Sequence, residues 1–298
     1  MTRRDCLQTL AAIPLLGRGI SLAAPKETEP FRLHYCLSSS LYGTLPLQEI
    51  LPEVKQTGTT VLDIWPRPHG SQREQVGELG EDRFREMLTE QGLQLGMTTR
   101  YDLGPFRLKE ELEFVRRFGG KLIVTGAKPG AGATLRDQVK SFVEKLQPHV
   151  AEAEKCGVTI AIENHGNSLI ESPDSLRYFA EFARSPNLGI ALAPYHLPQD
   201  PALQASLIED LGPKLVHFYA WEHGDGCHQK LPKDQELKQL PGRGSFDFAP
   251  LIAALRKIQF AGWTQVFMHP VPRGIPILET AGEVTAEINR SRAFLDRL

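Results

Sequence analysis

Nowhere does the chain run through the roughly 20 consecutive apolar residues that a membrane-spanning helix needs, so no span is expected. An excess of one charge is missing too. The 34 basic residues stand against 36 acidic ones, a net charge of −2, and no basic face of the kind that phosphate backbones demand is evident. Nucleic acid is therefore not expected as a partner. Cysteine is scarce: of four, Cys6 lies in a segment read below as a targeting signal. Cys36, Cys156 and Cys227 are spaced for neither a zinc pattern nor a disulfide framework. No Gly-x-Gly-x-x-Gly turn follows the first strand, which argues against a doubly wound nucleotide-binding sheet. What is present is ordinary globular material, 41% hydrophobic and 23% charged, enough for one large core.

The opening MTRRDCLQTLAAIPLLGRGISLAA joins Arg3-Arg4 to an apolar stretch and small residues at Ser21–Ala24. That is the layout of a secretory signal of the twin-arginine type. Cys6 stands where that motif usually has Phe, and Arg18 interrupts the apolar stretch, so an amphipathic N-terminal helix is the competing reading. The expectation is a signal over residues 1–28 and a folded domain over 29–298, exported to the periplasm and free of the membrane once the signal is removed.

From residue 31 short apolar runs alternate with helical patterns. The strand candidates are 31–37, 60–65, 94–99, 121–125, 158–162, 188–193, 214–220 and 263–268. Helix-like stretches between them include 82–91, 107–118, 135–156, 173–184, 247–258 and 279–297, with apolar residues three and four apart. Ser172-Pro173 and Ser245-Phe246-Asp247 look like helix starts. Eight strand–helix units in about 270 residues predict a single α/β domain, a (β/α)8 TIM barrel.

In such a barrel the chemistry sits where strands end, and the histidines collect there. Of the nine, only His149 falls in an expected helix. His69, His165, His196, His223, His228 and His269 follow strands, and His34 and His217 lie within them. Strand ends also carry Arg67, Arg100, Asp102, Lys128, Glu163 and Glu222. Bland readings exist for each: core histidines at 34 and 217, a solvated GDGCHQK loop holding Asp225 and His228, a proline-stiffened turn at Arg67 and His69, a helix cap at Asp102. Glu163, which ends the apolar run IAIE, is the hardest to dismiss, because a carboxylate there needs a cation or several donors. An ion pair with Lys128 or Arg100 is its structural alternative.

Four segments, IAIENHG, LGIALAPYH, KLVHFYAWEHG and GRGSFDF…GWTQVF, resemble in order and spacing the xylose-isomerase-like TIM barrels, the superfamily of sugar isomerases and epimerases. The resemblance spans residues 31–297. It implies a divalent ion held by Glu, Asp, His and Glu from the fifth to eighth strands, with two glutamates shuttling a proton beside a carbonyl. Glu163 matches the first ligand. The sixth-strand Asp-x-x-His reads Ala193-Pro194-Tyr195-His196, so the acid is lost and His196 inherits a substrate contact. The seventh-strand ligand aligns with Tyr219, with Glu222 as a neighbouring acid, and the final glutamate aligns with Phe267.

Strand residues two apart share a face, which puts His217 with Tyr219 and His269 with Phe267. Glu163, His196, His217 and His269 then form a substitute ligand set for one divalent metal, zinc, manganese or magnesium; a metal-free pocket is the competing picture. The catalytic candidates are Glu163 and His196. Substrate contacts are assigned to Trp65, Arg67, His69, Arg100, Asp102, Lys128, His165, Tyr219, Trp221, Glu222 and His223. Trp65, Tyr101, Tyr195, Tyr219, Trp221 and Phe267 supply aromatic faces for a sugar ring. The expected function is an isomerase- or epimerase-like enzyme, extending to keto-sugar elimination, that removes a proton beside a carbonyl of a small carbohydrate; a homo-oligomer is an open expectation. The alternative is a non-catalytic sugar-binding barrel.

Overall fold

A computed structural model describes residues 31–298; the expected signal over 1–28 lies outside the described residues. The central sheet is parallel throughout, in the order β1-β9-β8-β7-β6-β5-β4-β3-β2. Strands β1 (His34–Tyr35) and β2 (Leu37–Ser38) are two halves of one expected strand, broken at Cys36. The first half pairs with β9 (Trp263–Val266) and the second with β3 (Val61–Ile64), so this broken strand closes the ring. The remaining staves are β4 (Gln94–Thr99), β5 (Leu122–Gly126), β6 (Thr159–Glu163), β7 (Leu188–Leu192) and β8 (Leu215–Ala220). Sequences such as Leu-Gly-Ile-Ala-Leu in β7 are buried at every position, as strands covered on both faces must be.

Helices wrap the outside. The expected ones are found as α3 (Glu81–Gln91), α4 (Lys109–Arg117), α5 (Leu135–Cys156), α6 (Pro173–Phe182), α9 (Ala249–Lys257) and α10 (Ala281–Leu295). The intervals where no helix had been singled out hold α1 (Leu47–Gln56), α2 (Gln72–Leu79), α7 (Pro201–Leu211) and the short α8 (Lys233–Glu236). Ser172 does start a helix: its side chain caps the Ser175 amide in a capping box with Pro173 in the first turn, satisfying amides that have no intrahelical partner. The second expected start shifts by two residues, since α9 begins at Ala249, whose amide donates to Asp247 (2.9 Å).

Register sets the height of each side chain at the mouth. Glu163 lies level with Gly126 on one side and Ala191 on the other, two small neighbours that leave room around its carboxyl. Below it the barrel interior is partly polar. Asp63 Oδ2 accepts from Trp65 Nε1 (2.6 Å), Thr99 Oγ1 (2.9 Å) and Gln265 Nε2 (3.0 Å), and burial raises this carboxyl to about pKa 7 despite those donors. No helix among the described residues is long and apolar enough to cross a membrane.

Candidate active site

Glu163, only 4% exposed, accepts a short hydrogen bond from the Tyr101 hydroxyl. Its other oxygen stands 3.9 Å from His196 Nε2, a buried nitrogen with no hydrogen-bond partner. Burial raises Glu163 to about pKa 8, with Tyr101 and Tyr219 opposing the shift. Burial also lowers His196 to about 3, helped by the neighbouring His165, His228 and His223. The pair is therefore neutral at pH 7, with the proton on the carboxyl, because two desolvated groups without a strong contact do not sustain an ion pair.

From these two residues a closed circuit of rings runs round the mouth. His196 meets Trp221 edge-on at 5.2 Å between centroids, and Trp221 meets His269 at 5.1 Å. His269 stacks on His69 at 4.5 Å, and His69 meets Trp65 at 5.5 Å. Trp65 reaches Tyr101 at 6.3 Å, and Tyr101 returns to Glu163. Phe267 forms the floor, lying 5.3 Å from Trp65, 5.1 Å from Trp221 and 5.0 Å from Tyr219. Tyr195 lies flat against Trp221 at 4.0 Å, with His223 on its other face at 4.9 Å. Aromatic contacts in this range fix ring orientation as well as burying area.

Asn164 holds the pair in place. Fully buried, it accepts from the Ala193 amide (2.7 Å) and donates to the Ala193 carbonyl (3.0 Å), tying the residue after Glu163 to the turn that carries His196. Nothing in the sequence marks this role, although Asn164 stands beside Glu163 in IAIENHG. Tyr101, expected only as an aromatic face, is in addition the donor to Glu163.

Several assignments are corrected. Arg100 and Asp102 are bound to each other by two hydrogen bonds (2.9 and 2.7 Å). Arg100 also pairs with buried Glu111, which Arg73 holds from the other side at 3.1 Å. These charges are neutralised within the protein, and neither Arg100 nor Lys128 pairs with Glu163. Glu222 turns away from the ring. Its Oε2 accepts from the Phe246 amide (2.9 Å), with the amides of Gly244 and Ser245 also facing it, and burial raises it to about pKa 7. A Cβ on Gly244 would stand 2.2 Å from that oxygen, so glycine permits the approach. The Arg67 side chain is exposed outside the ring, while its backbone amide donates to Glu74 (3.0 Å). Lys128 and His165 line a cleft of about 410 Å³ with Tyr101, Asn167 and Ser168, beside the carboxylate's phenol donor.

The substitute metal set does not form. Glu163 and His196 meet, but His217 is fully buried beside Tyr219 (centroids 4.4 Å) with both ring nitrogens unpartnered. His269 is turned into its stack on His69. Among the described residues no three His, Cys, Asp or Glu side chains converge to hold a metal ion. The reason is steric as well as chemical: Tyr219 and Phe267, at the aligned ligand positions, pack on each other and fill the floor. The residues present do not fit the divalent ion that the resemblance implies.

A cavity of about 1060 Å³ lies at the opposite end of the barrel, lined by strand-start residues His34, Tyr35, Val61 and Trp263. It holds neither Glu163 nor any of the mouth histidines, and the carboxyl ends of the strands remain the place where chemistry is built.

Comparison with known proteins agrees with the architecture. No curated protein sequence matches the chain. Among solved structures, an IolI protein with a bound zinc atom superposes with TM-score 0.71 at 17% identity, covering 88% of this chain and 98% of that one. An L-ribulose 3-epimerase gives 0.65 at 17% identity, covering 88% and 93%. A probable 3-DHS dehydratase, AsbF of Bacillus anthracis, gives 0.64 at 16% identity, covering 86% and 97%. The family model described as the xylose isomerase-like TIM barrel matches residues 51–297, and the chain belongs to that family.

Proposed function

We propose that the chain is an enzyme that removes a proton beside the carbonyl of a sugar or sugar derivative, with Glu163 as its single acid–base carboxyl. One observation carries this reading: a buried carboxyl of pKa about 8 faces an unpartnered imidazole nitrogen inside a ring of aromatic side chains. A group poised near neutrality both takes and returns a proton efficiently. The neutral His196 donates to the carbonyl oxygen as charge develops there, a role a neutral imidazole can fill when burial prevents its protonation. Tyr101 holds the Glu163 carboxyl in position, and the ring walls pack against the apolar face of the substrate and exclude water.

With Phe267 where the resemblance would put a second glutamate, no carboxylate among the described residues waits on the opposite face. A lone base favours transfers that begin and end on one face, such as isomerisation between neighbouring carbons or elimination, over inversion by two bases. The IolI, epimerase and dehydratase neighbours support the substrate class only by analogy. The apolar floor favours a second reading, a barrel that binds sugar without turning it over.

Solvent deuterium incorporation into a panel of ketoses and keto-sugars, followed by NMR, tests the proposal. The wild-type protein is expected to wash deuterium into the carbon beside the carbonyl, and Glu163→Gln to reduce the rate by roughly 10²–10⁴-fold. Sugar binding by calorimetry without exchange would select the binding barrel.

A further inference from the structure

Among the described residues, Arg273 at the mouth is left without an opposite charge, as is Lys128 in the cleft beside Tyr101. Arg273 follows β9 on a loop pinned to the far side of the ring. The Thr44 amide donates to the Gly274 carbonyl (3.0 Å), and a Cβ on Gly274, whose φ is 82°, would lie 2.7 Å from the Pro68 carbonyl oxygen, next to His69. The Arg273 guanidinium donates to the carbonyl of Pro270 (2.6 Å) and to the sulfur of Cys227 (3.2 Å). The Cys227 amide in turn donates to the Tyr195 hydroxyl (3.0 Å).

Among the described residues Arg273 forms no ion pair with an Asp or Glu; its polar partners are one carbonyl and one thiol. The ionisable groups that sense its charge are His69, His269 and Tyr195. His69 is lowered to about pKa 4, first by burial and then by Arg273, so these neighbours bring no negative charge at neutral pH. A half-buried guanidinium has five N–H donors in a planar fork, and here several of them remain unspent.

Resting on the reading that the ring holds a sugar derivative, we propose that Arg273 anchors a carboxylate carried by the substrate. The substrate class is then a keto-sugar acid, with its carbonyl between Glu163 and His196 and its carboxylate across the ring beside His69 and His269. A carboxylate fits better than a phosphate: one guanidinium offers the paired N–H groups a planar monoanion accepts, whereas neutral imidazoles supply no second cation for a dianion.

The test uses a matched pair, a neutral hexulose and the hexuluronate with the same ring and a terminal carboxylate, together with the corresponding hexulose phosphate. Binding is measured by calorimetry and turnover by deuterium exchange, for the wild type, Arg273→Met and Arg273→Lys. The wild type is expected to bind the acid at least 10-fold more tightly than the neutral sugar. Arg273→Met should collapse that preference towards one, and Arg273→Lys should keep part of it. Circular dichroism checks that both variants are folded. If the acid binds with an Arg273-dependent preference but no compound exchanges, the anion site stands and the proton-transfer reading fails. If exchange occurs with no preference for the acid, or Arg273→Met leaves the preference intact, the inference is overturned and the proton-transfer reading stands. Stronger Arg273-dependent binding of the phosphate, or no binding of any of the three at millimolar concentration, also overturns it.

Discussion

Arg100 and Arg273 both follow strands of the same barrel and both reach the same end, yet they have opposite amounts left to offer a ligand. Arg100 is engaged on three sides, by two hydrogen bonds to Asp102 and a pair with buried Glu111. Arg273 has a carbonyl and a thiol for company. A related contrast separates Glu222, one of whose oxygens faces three backbone amides while the other is buried without a partner, from Glu163, which faces a phenol and an unpartnered imidazole. Residue type and position at a strand end place a group near the chemistry. Whether it takes part depends on whether the protein has already supplied its partner.

The sharpest way to break this comparison is to remove both guanidiniums and measure stability. Arg100→Met leaves Asp102 unpaired and buried Glu111 with Arg73 alone, and should cost roughly 3 kcal/mol. Arg273→Met breaks no ion pair and should stay within about 0.5 kcal/mol. Urea denaturation of the two variants reads the difference. Equal losses would mean that Arg273 is as structural as Arg100.

This contrast also marks what could be read from sequence. The strands were legible because two-sided burial leaves continuous apolar runs, and β6 and β7 are buried at nearly every position. Helix α2 was not, because Gln-Arg-Glu-Gln-Val-Gly-Glu-Leu offers a single buried aliphatic, Val76. The break at Cys36 was hidden too, since it reflects which neighbour each half of the strand meets. Glu163 stood out because a carboxylate ending an apolar strand is costly. Its approach to His196 followed from the shared barrel mouth, but Tyr101 is 62 positions away and reveals its hydroxyl's target only in space. Arg273 carries no local signal at all, since what distinguishes it is the lack of an acid nearby.

Asn164 sharpens the comparison from the satisfied side. Both halves of its amide are spent on Ala193. Asn164→Ala leaves the buried amide of Ala193 unpaired and its carbonyl with only the His196 amide (3.2 Å), at a cost of roughly 2 kcal/mol. It should also lower deuterium exchange by loosening the turn that carries His196. Asn164→Ala with wild-type exchange would show that His196 does not depend on this clasp.

The last contrast separates the two glutamates through pH. Both have folded pKa values above the usual carboxylate range, about 8 for Glu163 and about 7 for Glu222. A raised pKa means that the folded state holds the proton more tightly than the unfolded chain. Its stabilising contribution is complete below about pH 4.5 and is lost as pH rises through the folded value. Glu163→Gln removes this dependence while keeping an acceptor for Tyr101. Its melting temperature should therefore come closest to that of the wild type near pH 5 and exceed it by up to roughly 10 °C at pH 9. Glu222→Gln can keep its carbonyl oxygen on the backbone amides of 244–246 and set its new amide group in the place of Oε1, which has no partner. Its gain over the wild type should therefore be smaller and level off near pH 7 instead of pH 8. Melting curves between pH 5 and 9 distinguish the two patterns. A Glu163→Gln curve parallel to the wild type throughout would mean that position 163 ionises as an ordinary carboxylate, and a base of that strength would no longer be poised for neutral proton transfer.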